Sequence, residues 1–326
     1  MSAPALQIEQ LDLIYRTEQG PVRALRGVCL EVQAGEIVGI VGESGCGKSS
    51  LIQAILRLMP RNAEIVRGSI ALAGTNLLAL SAEEMRRLRG DRVSVVFQDP
   101  MTALNPVLPI GKQMIDIQYR RADSTKAKRA RALHMLNRVR IPDPERRLAQ
   151  YPHEFSGGMR QRVAIAMALM AEPALFIADE ATTALDATLE LTTIELLKTL
   201  QREIGCAILF ISHHLGVIAE LCDRVNVMYA GEVVETGTVS AVFQEPRHPY
   251  TQQLLACDPA RVTARSRRLP TIPGQVPNLA QLPSGCVFSE RCLQVFEPCR
   301  AAPPDYFQIG ERRAVRCYLA GKDSVT

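Results

Sequence analysis

Residues 37–50, Ile-Val-Gly-Ile-Val-Gly-Glu-Ser-Gly-Cys-Gly-Lys-Ser-Ser, constrain this chain more than any other stretch. The apolar run at 37–41 reads as a buried strand. It breaks at Gly42, and helix-compatible residues resume at Lys48. The link between them is G-x-x-x-x-G-K-S, with Gly42, Gly45, Gly47, Lys48 and Ser49. This is the P-loop pattern in the strand–loop–helix setting that it requires. Glycines let main-chain N–H groups turn inward around a phosphate chain, and the helix N-terminus adds its partial positive charge. Lys48 then reaches the terminal phosphates and the Ser49 hydroxyl suits Mg²⁺. The plain alternative is a Gly-rich strand–helix turn that holds no ligand.

Length and composition set the frame for that loop. A chain of 326 residues buries at least one full core and suggests two domains. Its 47% hydrophobic and 22% charged residues are ordinary for a globular protein. No apolar run nears the length of a spanning helix, residues 163–171 being the longest candidate. The N-terminus lacks a basic-then-apolar signal segment, so the expected place is the cytosol, with membrane contact through a partner. A net charge of +4 is too small to argue for nucleic acid, and the basic run 120–140 reads as a solvated helix face.

Around the loop, alternating apolar runs in residues 5–34 suit antiparallel strands. Tyr15 ends one of them, as a half-buried strand aromatic or as a ring for stacking. Ser81 and Glu84 form a capping box at a helix start. Residues 92–97 read as a buried strand that ends at Gln98, where an open α/β sheet opens its ligand crevice. Helical patterns at 111–119 and 125–139 then replace the strands. Ser156, Gly157 and Gly158 open an apolar helix, either as a simple Ser N-cap or as an anion-binding helix start. The strand 174–178 delivers Asp179 and Glu180, adjacent carboxylates that are costly to bury without a partner. Asp179 suits a Mg²⁺-associated role, and Glu180 suits polarising an attacking water. Residues 207–212 are a further core strand, which ends at His213 and His214; His213 is the candidate for action beside a γ-phosphate. Residues 224–229 and 232–236 read as a hairpin turned at Ala230-Gly231. From 259 on, Pro and Arg dominate without periodicity, which marks a linker and a loop-rich appendage.

Taken together, these motifs resemble the nucleotide-binding subunit of an ABC transporter, over almost the whole chain. In that resemblance Tyr15 stacks on adenine, residues 42–49 are Walker A, Gln98 the Q-loop and residues 155–159 the signature. Residues 175–180 match Walker B, residues 184–186 the D-loop, and His213 the switch histidine. The segments 97–106, 155–162 and 246–251 look like the D-type ATPase of oligopeptide and dipeptide importers.

The implied fold is α/β, a P-loop NTPase of the ABC type. It has a RecA-like core, an antiparallel β subdomain and a helical subdomain at about 100–170, within a domain spanning 1–258. A small cysteine-rich extension occupies 259–326. The resemblance implies that ATP is held by Tyr15, Gly42, Glu43, Ser44, Gly45, Cys46, Gly47, Lys48, Ser49, Ser50, Gln98 and Asp179. A second subunit's Ser156, Gly157 and Gly158 complete that grip, and Asp186 of the D-loop belongs to the same nucleotide-binding set. Ser49, Gln98 and Asp179 hold Mg²⁺, and Glu180, His213 and Gln98 serve the chemistry. Three residues depart from the family pattern: Ala181 stands for the usual Pro, His214 for Asp, and Met159 for the signature Gln. Alanine at 181 leaves φ unfixed, so a looser D-loop is expected.

The implied activity is ATP hydrolysis that powers uptake of di- or oligopeptides. The implied partners are a second, F-type ATPase, two permeases and, indirectly, an extracytoplasmic peptide-binding protein, with no nucleic acid. The implied place is the cytoplasmic face of the cytoplasmic membrane. The alternatives are an importer for another small solute, such as a nickel chelate, and an ABC ATPase not tied to transport. A single cassette, no long coiled coil and no basic stripe argue against the latter.

Nine cysteines are many for a reducing compartment, and Cys286, Cys292, Cys299 and Cys317 crowd the tail. Their spacing is not the short C-x2-C of common zinc sites. A Pro-rich segment can still wrap one metal, and a tail poor in apolar residues needs a staple. By resemblance to the peptide-importer ATPases, the expected group is a [4Fe–4S] cluster on these four thiolates, with zinc as the alternative. Four reduced cysteines in a small core is the reading without metal.

Overall fold

The computed structural model describes residues 3–97, 103–181, 187–258 and 270–323. Gln98 and Asp186 therefore lie outside the described residues, as does the rest of the D-loop segment 184–186. The chain divides into two compact units. One comprises residues 1–32, 37–79 and 212–326, the other residues 33–36 and 80–211.

In chain order the strands are β1 (Leu6–Thr17), β2 (Gly20–Val32), β3 (Ile37–Val41), β4 (Ala63–Leu72), β5 (Thr75–Asn76) and β6 (Val93–Val96). They continue with β7 (Leu175–Asp179), β8 (Ala207–Ile211), β9 (Arg224–Tyr229), β10 (Glu232–Thr238), β11 (Phe307–Gly310) and β12 (Arg313–Val315).

The first unit holds two layers of sheet. The alternating runs near the N-terminus pair antiparallel in the order β2-β1-β4-β5. Alternation buries Leu6, Ile8, Leu11 and Leu13 of β1, with polar residues between them. The second sheet of this unit runs β11-β12-β10-β9-β3. β3 and β9 are parallel and the other pairs antiparallel. Every residue of β3 and of β9 is buried; β3 is the continuous apolar run of a covered sheet, while β9 also buries Arg224 and Asn226. β9 and β10 are joined at Ala230 and Gly231, both with positive φ, the backbone that a tight hairpin requires.

The cysteine-bearing appendage is part of this unit. β12 adds to β10 with Val315 opposite Glu235 and Ala314 opposite Thr236. Strands this short carry no legible period. The edge of an existing sheet completes them, and Val315, Cys317 and Ala320 pack with Phe307, Ile309 and Leu319 in a small core of the tail's own.

The second unit contains three parallel strands, β6 beside β7 and β7 beside β8. The residues of β8 are all buried, and β7 is buried up to Asp179. Between β6 and β7 the described residues form only helices and loops, chiefly Ile110–Asp116, Thr125–Arg138 and Gly157–Leu169. Ser124 caps the second of these by accepting the Ala127 N–H. The expected capping box at Ser81 and Glu84 forms on the helix Ala82–Leu88. Among the described residues no helix is long and apolar enough to cross a membrane.

Candidate functional site

In the first unit, β3 ends at Val41 and the helix Lys48–Leu56 begins seven residues later. The loop between them is shaped by backbone contacts that only glycine allows. A Cβ on Gly42 would lie 2.2 Å from the Met228 carbonyl oxygen and 2.8 Å from the Cys46 sulfur. Gly47, at φ 110°, is the N-cap, and a Cβ there would meet the Ala24 carbonyl oxygen at 2.8 Å. No side chain caps this helix and no acidic residue stands in its first turn. The helix start therefore keeps the electropositive character that suits an anion.

Lys48 is buried, with its ammonium held on the loop itself. Nζ donates to the Gly42 carbonyl at 2.7 Å and to the Glu43 carbonyl at 3.1 Å. Ser44, Gly45 and Ser49 are exposed along the same loop. Cys46 is buried, and burial raises its thiol above the usual range despite the neighbouring Lys48. Tyr15 stands beside this helix, with its hydroxyl 3.0 Å from Ser50 Oγ and 3.2 Å from Gln53 Oε1. His213 follows Ser212, whose N–H donates to Ile40 of β3 at 3.2 Å. The His213 ring is exposed and meets His214 edge-on at 4.5 Å.

Three residues brace the loop, a role not assigned to any of them from the sequence. Gly231 at the hairpin turn donates its N–H to the Cys46 carbonyl at 2.9 Å. The Tyr250 hydroxyl accepts the Glu43 N–H at 3.0 Å. Arg291 forms a bidentate ion pair with the Glu43 carboxylate, at 2.8 and 3.0 Å. The segment 246–251 carried the family resemblance without any role for Tyr250. Nothing local distinguishes Arg291 from the other arginines of the tail; its partner lies 248 positions away.

In the second unit, β7 brings Asp179 and Glu180 out of the sheet, both half-buried. Glu180 adopts φ 49°, a backbone that a side-chain-bearing residue rarely holds, and its N–H donates to the Ile211 carbonyl at 2.9 Å. Such positions cost free energy and cluster at functional sites. Ala181 next to it is buried. Ser156 is the N-cap of the helix Gly157–Leu169 and accepts the Met159 N–H at 3.3 Å. Ser156 and Gly157 are exposed and Gly158 is buried. The Ser N-cap expected from sequence is thus present, with the start of its helix open to solvent.

The tail cysteines converge, but not as a metal site. Cys286, Cys292, Cys299 and Cys317 all line one cavity with Phe288 and Tyr318. That cavity measures about 10 Å³, room for no more than one water. Among the described residues no group of three or more His, Cys, Asp or Glu side chains is arranged to hold a metal ion. Burial also pushes the Cys286 thiol up to about 12 and Cys317 up to about 11. The expected [4Fe–4S] cluster, and zinc as its alternative, are therefore not supported. These side chains act as a small apolar core. The staple inferred from composition is supplied by aromatic packing: Phe288 meets Tyr229 at 5.1 Å and Tyr250 at 5.4 Å, and all three rings are fully buried.

Comparison with known proteins agrees with this arrangement. The ABC transporter family profile matches residues 25–183. The profile of the oligopeptide/dipeptide transporter C-terminal region matches residues 234–299. The chain is 48% identical over 305 residues to the probable D,D-dipeptide transport ATP-binding protein DdpD of Escherichia coli, covering 93% of each chain. It is 45% identical to the oligopeptide transport ATP-binding protein OppD of Bacillus subtilis, covering 98% of this chain and 90% of that one. A probable peptide ABC transporter ATP-binding protein of Sinorhizobium fredii is 47% identical, over 97% of this chain and 95% of its own. Among solved structures, the dimeric post-hydrolysis state of the ATP-binding cassette MJ0796 bound to ADP and phosphate matches with a TM-score of 0.64. It is 29% identical and covers 72% of this chain and 98% of that one.

Proposed function

This chain belongs to the ATP-binding subunits of peptide ABC transporters, and from that premise we propose that it binds and hydrolyses Mg-ATP to power peptide import. The observation that carries the reading is the loop 42–49. Two of its glycines, Gly42 and Gly47, are packed against carbonyls at distances that exclude a side chain, and its helix start is uncapped. Such a loop is built for a phosphate chain.

The chain's residues divide the work as follows. Main-chain amides of the loop hold the phosphates, and Lys48 exchanges its carbonyl partners for the terminal phosphate oxygens. Tyr15 offers its ring to the base. Glu180 holds the attacking water in line, His213 acts beside the terminal phosphate, and Gln98 serves the same chemistry. Ser49 and Asp179 each present a hard oxygen donor that suits Mg²⁺. Bound there, Mg²⁺ supplies charge compensation to the leaving phosphates.

A second ATPase subunit, of the F type, contributes its own signature residues, as Ser156, Gly157 and Gly158 of this chain contribute to it; Asp186 joins the nucleotide-binding set. ATP makes its full set of contacts only in the closed pair, so binding shifts the open–closed equilibrium and hydrolysis releases it. Two permeases receive the motion on the cytoplasmic face of the membrane, and an extracytoplasmic binding protein delivers the peptide. The match of residues 234–299 to the oligopeptide/dipeptide region supports peptides over other small solutes.

The test is turnover and assembly of the purified chain with its co-expressed permeases. Glu180→Gln should lower kcat by about 10²–10³-fold while retaining ATP and trapping a stable dimer. Lys48→Ala should lose nucleotide binding outright. Unchanged turnover in Glu180→Gln, or unchanged ATP affinity in Lys48→Ala, refutes the assignment.

A further inference from the structure

Glu43 poses an electrostatic problem. It sits inside a loop whose purpose is to attract an anion, five residues before Lys48. An unneutralised carboxylate there cancels the ammonium charge and repels the phosphates. The C-terminal extension solves the problem. Arg291 places Nη1 2.8 Å from one Glu43 oxygen and Nη2 3.0 Å from the other, the fork geometry that gives the strongest charge-assisted pairs.

The guanidinium is itself locked from the tail's side. Its Nε donates to the Pro273 carbonyl at 2.9 Å, Nη2 donates to Ile272 at 3.3 Å, and Nη1 contacts the Tyr229 hydroxyl at 3.3 Å. The Arg291 side chain is only 4% exposed, against 26% for Glu43. The aromatic cluster of Tyr229, Tyr250 and Phe288 lies beside this pair, and Tyr250 accepts the Glu43 N–H. Glu43 is thus held at both its main chain and its side chain by residues that lie after the nucleotide motifs in the chain.

We propose that Arg291 is a positioning residue of the nucleotide site, which neutralises Glu43 and draws its carboxylate onto the extension. The folded state of the extension then sets the loop's affinity for nucleotide. This rests on the nucleotide-binding assignment above and adds a role for the C-terminal region. Coupling of this kind is reciprocal: nucleotide in the loop must stabilise the extension by the same factor.

The experiment is fluorescence titration of the full chain with Mg-mant-ADP. Wild type must bind and Lys48→Ala must not; failure there refutes the nucleotide assignment itself. Given binding, Arg291→Met should weaken it by about tenfold or more, because it leaves a carboxylate unpaired among phosphate ligands. Adding Glu43→Gln to Arg291→Met should recover affinity to within about threefold of wild type, since the charge is then gone. Arg291→Lys, which keeps the charge without the fork, should fall between them.

Wild-type affinity in Arg291→Met overturns the proposal. So does a double variant as weak as the single one, because a merely structural role predicts no recovery. Should Arg291→Met fail to fold, hydrogen exchange on the wild-type chain decides. Mg-ADP should slow amide exchange in residues 270–294, and unchanged exchange there overturns the proposal.

Discussion

The phosphate loop and the cysteine pocket are both irregular segments of one unit, and both drew attention for their residue types. They differ in what carries the structure. The loop is defined by main-chain geometry: Gly42 and Gly47 stand where a Cβ would strike a carbonyl oxygen, and the Lys48 ammonium bonds carbonyls of the same turn. A requirement of that kind is written locally, as glycines at fixed spacing. The pocket is defined by side chains from four separated positions, which meet around a space of about 10 Å³. Spacing along the chain brought them together but did not prescribe their directions. Main-chain sites are therefore legible from short motifs. Side-chain sites depend on tertiary packing that the same motifs leave open.

The largest effect expected from this contrast is at Gly42. Gly42→Val forces a side chain into the Met228 carbonyl, where a Cβ alone would lie at 2.2 Å, and the backbone must move. We expect loss of nucleotide binding beyond detection, together with a stability loss of several kcal/mol (about 3 or more). Calorimetric unfolding and Mg-mant-ADP titration measure the two. Wild-type affinity in that variant would break the claim that the loop works through its backbone.

The same contrast explains how far the sequence reached. The order and type of the core strands were readable because buried runs such as 37–41, 175–178 and 207–211 are continuous and apolar. The capping box at Ser81 and the N-cap at Ser156 were readable because each is a contact three residues long. The tail's pairing with β10 was not, since Arg313–Val315 is three residues long and takes its stability from a strand about 80 positions earlier. Tyr250 and Arg291 were missed for the same reason: each is defined by its reach to Glu43, and no periodicity records that. The unsupported metal cluster was the converse case, in which a chemically suggestive composition met a packed interior.

A smaller effect sharpens the other half of the comparison. If the tail cysteines are packing groups, Cys299→Ser should cost about 1–3 kcal/mol, because it places a hydroxyl in a nearly full apolar pocket. Cys299→Ala should cost less, since the side chain it removes is small and leaves nothing polar behind. Chelators should not change the unfolding temperature of wild type. A metal-supported pocket predicts the opposite pattern, with serine and alanine equally harmful and strong sensitivity to chelation. Unfolding scans with and without chelator separate the two.

The smallest effect lies where the two regions join, at His248. Its ring lines the cysteine pocket, and its Nδ1 accepts the Tyr250 N–H at 3.0 Å, capping the helix Pro249–Ala256. Tyr250 in turn holds the Glu43 N–H of the phosphate loop. Burial drives the imidazole down to about 3, and a hydrogen bond with the Arg316 main chain opposes this only in part. Protonation would bury a charge and abolish the cap acceptor.

The sign follows from linkage. Above about 6.5, the ordinary histidine value, folded and unfolded chains both carry a neutral ring and the group is silent. Below it the unfolded chain takes up the proton and the folded chain does not, so stability falls down to about pH 3. The slope approaches about 1.4 kcal/mol per pH unit well below the unfolded value, and between pH 7 and 6 about half of it is felt. Glu235, fully buried and raised above the usual carboxylate range, works in the other direction as the pH falls. Comparison of wild type with His248→Asn cancels that contribution, and asparagine can keep the cap. The variant's stability should decline less steeply between pH 6.5 and 5 than that of the wild type. If the decline also weakens Mg-mant-ADP binding before global unfolding, the pocket and the loop yield together through Tyr250; parallel slopes in the two proteins would remove His248 from that link.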